Sequence, residues 1–247
     1  RRSTPPGSWG RHRPGRPGGN HPSRPPRPRA SGGPAGAPGT PPGATPPGTV
    51  ALWQQLTAVA GALQAIRSGQ SGTAALAAVD GGLRPGVQAL LFQVLRQLGR
   101  ADALRRQLAA RTPPPAADAL LCTALALGWN PDEAPYEAFT LVNQAVEAAK
   151  HHPATRAQAS FINGCLRRFL RERDALVAAT DNDPVARFNH PAWWIQRLRK
   201  DHPQHWEQIL RANNAHAPMT LRINQQKCTL PRYQQALIAI NLEASPA

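Results

Sequence analysis

The stretch Phe161–Arg173, FINGCLRRFLRER, decides how the chain folds. Read at 100° per residue, it divides into two faces. Phe161, Ile162, Cys165, Leu166, Phe169 and Leu170 fall on one half of the helix, and Asn163, Gly164, Arg167, Arg168 and Arg171 on the other. The first half suits the core of a helical bundle. The second sets three arginines within about a quarter-turn of one another, with no acid among them. Such a face is either solvated, helped by cations lying towards the helix C-terminus, or it binds phosphate. The residues by themselves leave both readings open.

Upstream, the same periodicity repeats. Val50–Arg67 places Leu52, Leu56, Val59, Leu63 and Ile66 on one helical face. A short helix is expected over Ala74–Val79. A longer one follows Pro85 and carries Val87, Leu90, Leu91, Val94, Leu95 and Leu98. Gly99 punctuates it, and Ala101–Ala110 forms the next. Ala116–Leu127 is strongly apolar and should be a central helix. Pro135–Lys150 follows, then a break at His151-His152-Pro153, then the opening helix over about Ala154–Ala179. Residues 49–180 therefore read as an all-α domain of about seven helices. Downstream, Asp181–Pro184 is a linker. Helices are expected up to Lys200, from Pro203 to Asn213, and over Leu230–Leu242. Met219–Asn224 alternates and is the strand candidate, the start of an incomplete α/β unit over 216–247 that follows a helical connector at 181–215.

Residues 1–48 hold 14 of the 27 prolines, 11 of the 20 glycines and eight arginines, with no acid. Their only large apolar residue is Trp9, so they are expected to form a disordered arm. The formal net charge is +15, of which this arm supplies 8. A basic body with a basic arm implies an acidic partner, most often nucleic acid. No apolar run reaches the roughly 18 residues of a membrane span, and no signal peptide opens the chain. Cytoplasmic location, no membrane and a monomer are the expectations. Cys122, Cys165 and Cys228 form no Cys-x-x-Cys pair and read as small core residues in a reduced compartment.

Catalytic motifs are not found. No His-x-x-x-His pair suggests a metal, the pair His151-His152 reads as a loop, and the glycine clusters match no phosphate-binding loop. Asp181 and Asp183 sit in polar turns where solvation explains them. Basic and aromatic residues are plentiful instead: Trp193-Trp194 precede Arg197, Arg199 and Lys200, and Trp206 precedes Arg211 and Arg222. Aromatics beside cations can stack bases and hold phosphates, or they can anchor helices. One tryptophan of the adjacent pair is expected to be buried and the other partly exposed.

Three motifs occur in order: FINGCLRRFLRE at 161–172, HPAWWIQRLRKDHPQHWEQIL at 190–210 and NNAHAPMTLRIN at 213–224. With Phe92-Gln93-Val94-Leu95-Arg96 they resemble the front half of the Fmu/Sun-type 16S ribosomal RNA cytosine-C5 methyltransferases. The resemblance covers about residues 50–242. It implies a NusB-like RNA-binding bundle over 49–180, and a connector and small α/β unit leading to a Rossmann-like catalytic domain absent here. The family's S-adenosylmethionine motif, Asp-x-Cys-Ala-Ala-Pro-Gly-Gly-Lys, is missing, as are its Pro-Cys and Thr-Cys motifs. No catalytic residue, cofactor or metal is therefore assigned to this chain, which is expected to be inactive alone; S-adenosylmethionine belongs to the full-length family. Ribosomal RNA is the partner implied. Arg167, Arg168 and Arg171 are the leading phosphate contacts, followed by Arg197, Arg199, Lys200 and Arg222. Gly164 then implies close approach of a helix or an RNA backbone. The alternative is a stand-alone NusB-like module in transcription antitermination or ribosome assembly.

Overall fold

The structure is a computed structural model that describes residues 50–217 and 219–245. The arm expected over 1–48 lies outside the described residues. Seven α-helices build the bundle: α1 Leu52–Arg67, α2 Gly72–Ala77, α3 Arg84–Arg96, α4 Leu98–Leu108, α5 Pro115–Gly128, α6 Ala138–His151 and α7 Ala159–Thr180. α8 Pro184–Phe188, α9 Ala192–Asp201, α10 Trp206–Asn214 and α11 Leu230–Ile238 follow.

α5 is the axis of the bundle. Pro115 opens it with its φ already helical, and every residue from Ala117 to Gly128 is buried. A helix apolar on all sides can only be stable when neighbours surround it, and α1, α3, α4, α6 and α7 do so. α6 comes closest at Gly128, where a β-carbon would lie 2.9 Å from Leu141. Leu56, Leu63, Leu91, Leu104, Ile162 and Phe169 close the core around it. Each such side chain contributes about 1.5–3 kcal/mol on burial.

Several expectations needed correction. α4 begins at Leu98, so Gly99 lies inside its first turn and is not a stop. The break is Gln97 alone, at φ −116° and ψ 8°. Glycine is required at 99 because a β-carbon there would meet the Val185 carbonyl oxygen at 2.5 Å. α6 begins at Ala138, three residues late, because Glu137 is extended at ψ 139°. His151 is not in a loop; it ends α6 and stacks on Trp53 at 4.3 Å. Asp181–Pro184 is only partly linker, since Asp183 Oδ1 accepts the Val185 N–H and starts α8 with Pro184 at its first position. Met219–Asn224 is no strand: it has no ladder partner among the described residues, and an extended segment becomes a strand only by pairing.

A second, small core holds α8–α10 together. Phe188, Ile195, Leu198 and Leu210 are buried, with Trp194, Trp206 and Ile209 against them. Two asparagines fasten this layer to the bundle. Asn189, left-handed at φ 56°, accepts the Gly99 N–H through Oδ1 at 2.6 Å and donates through Nδ2 to Leu95 O at 2.9 Å. It donates from the same nitrogen to Asn214 Oδ1 at 3.0 Å. Asn214 donates to Arg96 O at 2.7 Å. These bonds satisfy backbone groups that the α3–α4 break leaves without helical partners.

Candidate nucleic-acid interface

The inner half of α7 packs as the periodicity predicts, with Ile162, Cys165, Leu166 and Phe169 buried. Phe161 is the exception: it sits at the rim, 36% exposed. Arg167, Arg168 and Arg171 are exposed on the outer half. They are not free of acid. Arg168 Nε donates to Glu172 Oε2 at 2.9 Å, and Arg171 Nη2 lies 3.9 Å from Glu172 Oε1. Glu172, one residue beyond the face first considered, stands at a kink in α7 with φ −114° and ψ 16°. Arg167 has no acid partner among the described residues. Gly164, one turn before Arg167 and Arg168, is exposed, and nothing lies within 4 Å of the position its β-carbon would take. Of the two approaches expected there, that of a helix is not found among the described residues.

The other basic residues fall into separate groups. On α9, Arg197 Nε donates to Asp201 Oδ2 at 2.6 Å, Lys200 is exposed, and the Arg199 guanidinium sits 4.2 Å above the Trp206 ring. Neither adjacent tryptophan is fully buried. Trp193 is 68% exposed, while Trp194 is half-buried and meets it edge-on at 5.6 Å. Arg222 is exposed on the extended segment before α11. No hydrogen bond or ion pair among the described residues joins the α7, α9 and Arg222 groups.

Two polar clusters escaped the sequence. Asp118 of α5, 8% exposed, receives Arg67 Nη1 at 2.7 Å, while Arg105 Nε stands 2.9 Å from its other oxygen without hydrogen-bond geometry. Arg67 also pairs Asp102, which accepts from Cys122 Sγ at 3.4 Å. Burial, with Asp102 and Asp118 nearby, pushes the Cys122 thiol up to about 12, although Arg67 opposes the shift. Arg100 of α4 is buried, and its Nη1 reaches Thr180 Oγ1 and Asp181 Oδ1, the latter at 2.5 Å. Asp183 pairs Arg106 at 3.1 Å. Both aspartates are solvated turn residues that also tie the turn to α4. Alternation and charge counts give no sign of these pairs, because their partners lie 77 to 81 residues away.

Among the described residues no group of three or more His, Cys, Asp or Glu could hold a metal, and no helix is long and apolar enough to cross a membrane. Cys122 and Cys165 are buried thiols, as expected of core residues.

This is the class of an all-α bundle with basic outer faces. Residues 55–171 match the NusB family, and residues 190–247 match the "Methyltr_RsmF/B-like, ferredoxin-like domain". The chain is 31% identical to ribosomal RNA small subunit methyltransferase B of Vibrio cholerae over 74% of its length, and 34% identical to that of Pseudomonas putida over 76%. It is 43% identical to the probable ribosomal RNA small subunit methyltransferase B of Coxiella burnetii over 43% of its length. These alignments span 43%, 44% and 25% of the respective relatives, so the chain covers less than half of each. The chain thus consists of a NusB-family domain followed by sequence of the RsmF/B-like ferredoxin-like domain, in agreement with the front part of the Fmu/Sun-type methyltransferases. That order favours the methyltransferase reading over a stand-alone NusB-like module.

Proposed function

We propose that this chain is the RNA-holding part of a ribosomal RNA small subunit (cytosine-C5) methyltransferase, and that it positions ribosomal RNA for a catalytic domain that flips out the target base. The observation that carries the reading is the exposed arginine face of α7, mounted on the rigid core of a NusB-family domain. Arg167, Arg168 and Arg171 are its phosphate contacts, with Arg197, Arg199, Lys200 and Arg222 as flanking contacts. Phosphate contacts of this kind set orientation and affinity rather than sequence choice. The same reading assigns the chain to the cytoplasm, as a monomer.

The described residues do not fit S-adenosylmethionine. Sites for such cofactors in α/β folds lie beyond the carboxyl ends of parallel strands, and no strand occurs among the described residues. Cys122 and Cys165 fit a nucleophile no better, since burial raises the pKa of both. No chemical step is therefore assigned to these residues. Binding of labelled RNA measured over a salt series tests the proposal. Replacing Arg167, Arg168 and Arg171 together by Glu is expected to weaken binding at least tenfold and flatten its salt dependence. Unchanged affinity in a folded triple variant would sink the assignment.

A further inference from the structure

Arg96, at the end of α3, is half-buried and has no acid partner among the described residues. It lines a cleft of about 470 Å³ between α3 and the α8–α10 layer. Arg187, Arg211 and His216 line the same cleft. The acids nearby do not neutralise it. Glu133, in the lining, accepts from Gln97 Nε2 at 3.1 Å. Glu207 is shared between Arg187 at 3.8 Å and Arg211 at 3.2 Å. Arg187 and Arg211 thus share one carboxylate, and Arg96, a half-buried cation without a partner among the described residues, favours an anionic ligand.

One turn before Arg96, Phe92 is 42% exposed on the outer face of α3. Arg84, Gln88, Phe92 and Arg96 recur every fourth residue, so they form one stripe with about 6 Å between successive positions. The Arg84 guanidinium is already oriented by the carbonyls of Ala77 and Val79. An exposed aromatic flanked by cations is the arrangement that stacks unpaired bases while holding their phosphates. The cleft is kept at fixed width by the bonds from Asn189 and Asn214, which tie its two walls together beside Arg96.

We propose that single-stranded RNA runs along α3, stacks a base on Phe92, and passes its phosphates to Arg96, Arg187 and Arg211 in this cleft. The inference rests on the RNA reading above and adds the form of RNA and its path. A duplex cannot use this site, because its bases are paired and stacked away from Phe92. The test measures the whole chain by fluorescence anisotropy against a labelled single strand of about 12 nucleotides and the duplex of that strand with its complement. Phe92→Ala is expected to weaken single-strand binding about tenfold, with duplex binding unchanged. Arg96→Gln is expected to do the same and to lower the salt slope by about 0.7. Wild-type single-strand affinity in both variants, with binding still lost on Arg167→Glu, would overturn the cleft and leave the RNA reading intact. Equal losses for strand and duplex would overturn the single-strand assignment. Failure of the unaltered chain to bind either RNA would overturn the RNA reading, and the cleft with it.

Discussion

Arg167 and Arg168 are neighbours in sequence with different commitments. Arg168 already donates to Glu172 and reaches the Gln107 carbonyl at 3.5 Å, while Arg167 meets no acid among the described residues. Arg167→Glu is therefore expected to weaken RNA binding several-fold more than Arg168→Glu, measured as the affinity ratio at fixed salt. Glu172→Gln should strengthen binding modestly by releasing Arg168. The cysteines separate as cleanly. Cys122 is held protonated by its burial, so a thiol reagent at pH 8 is expected to label Cys228 quickly and Cys122 only on unfolding. The sign of the linkage follows from the raised value. The contribution of Cys122 to stability is full below its ordinary 9.0 and declines as the pH rises towards about 12. Chemical denaturation at pH 8 and pH 11, compared with Cys122→Ala, checks this. The difference between the two proteins should shrink at the higher pH.

At the level of elements, α5 and the α3–α4 break have distinct roles. Leu121 is fully buried at the centre of α5, and Leu121→Ala is expected to cost about 2–5 kcal/mol in urea denaturation. Asp118→Ala is expected to cost about 1–3 kcal/mol, because half-buried Arg105 loses its carboxylate while Arg67 keeps Asp102. The junction behaves differently. Asn189→Gly keeps the left-handed backbone accessible and removes only the side-chain bonds to Gly99, Leu95 and Asn214. Hydrogen exchange should then quicken over α8–α10 and leave α5 protected; uniform exchange across the chain would mean that the asparagine supports the whole fold.

Across the described residues, a bundle is joined to a smaller helical layer where α8 packs on α4. Gly99, Asn189 and Asn214 set that junction, so the two basic regions keep a fixed relation. Gly99→Ala would force the Val185 carbonyl away and is expected to widen the cleft at Arg96. Single-strand RNA affinity should fall in that variant, with the α7 arginines untouched.

Sequence by itself determined the helices, their apolar faces and the central place of α5. Helical periodicity is local, and a run such as Ala117–Leu127 has no stable existence outside a core. It also determined that Arg167, Arg168 and Arg171 share one exposed face, and the order of motifs pointed to the family. Only the tertiary structure decided which charges remain available. Asp181 and Asp183 are claimed by Arg100 and Arg106, and Arg96 is left without an acid partner among the described residues. The helix Phe161–Arg173 was legible because each of its neighbours lies within four residues. The cleft was not, because its walls are brought together by hydrogen bonds between residues 94 and 118 positions apart.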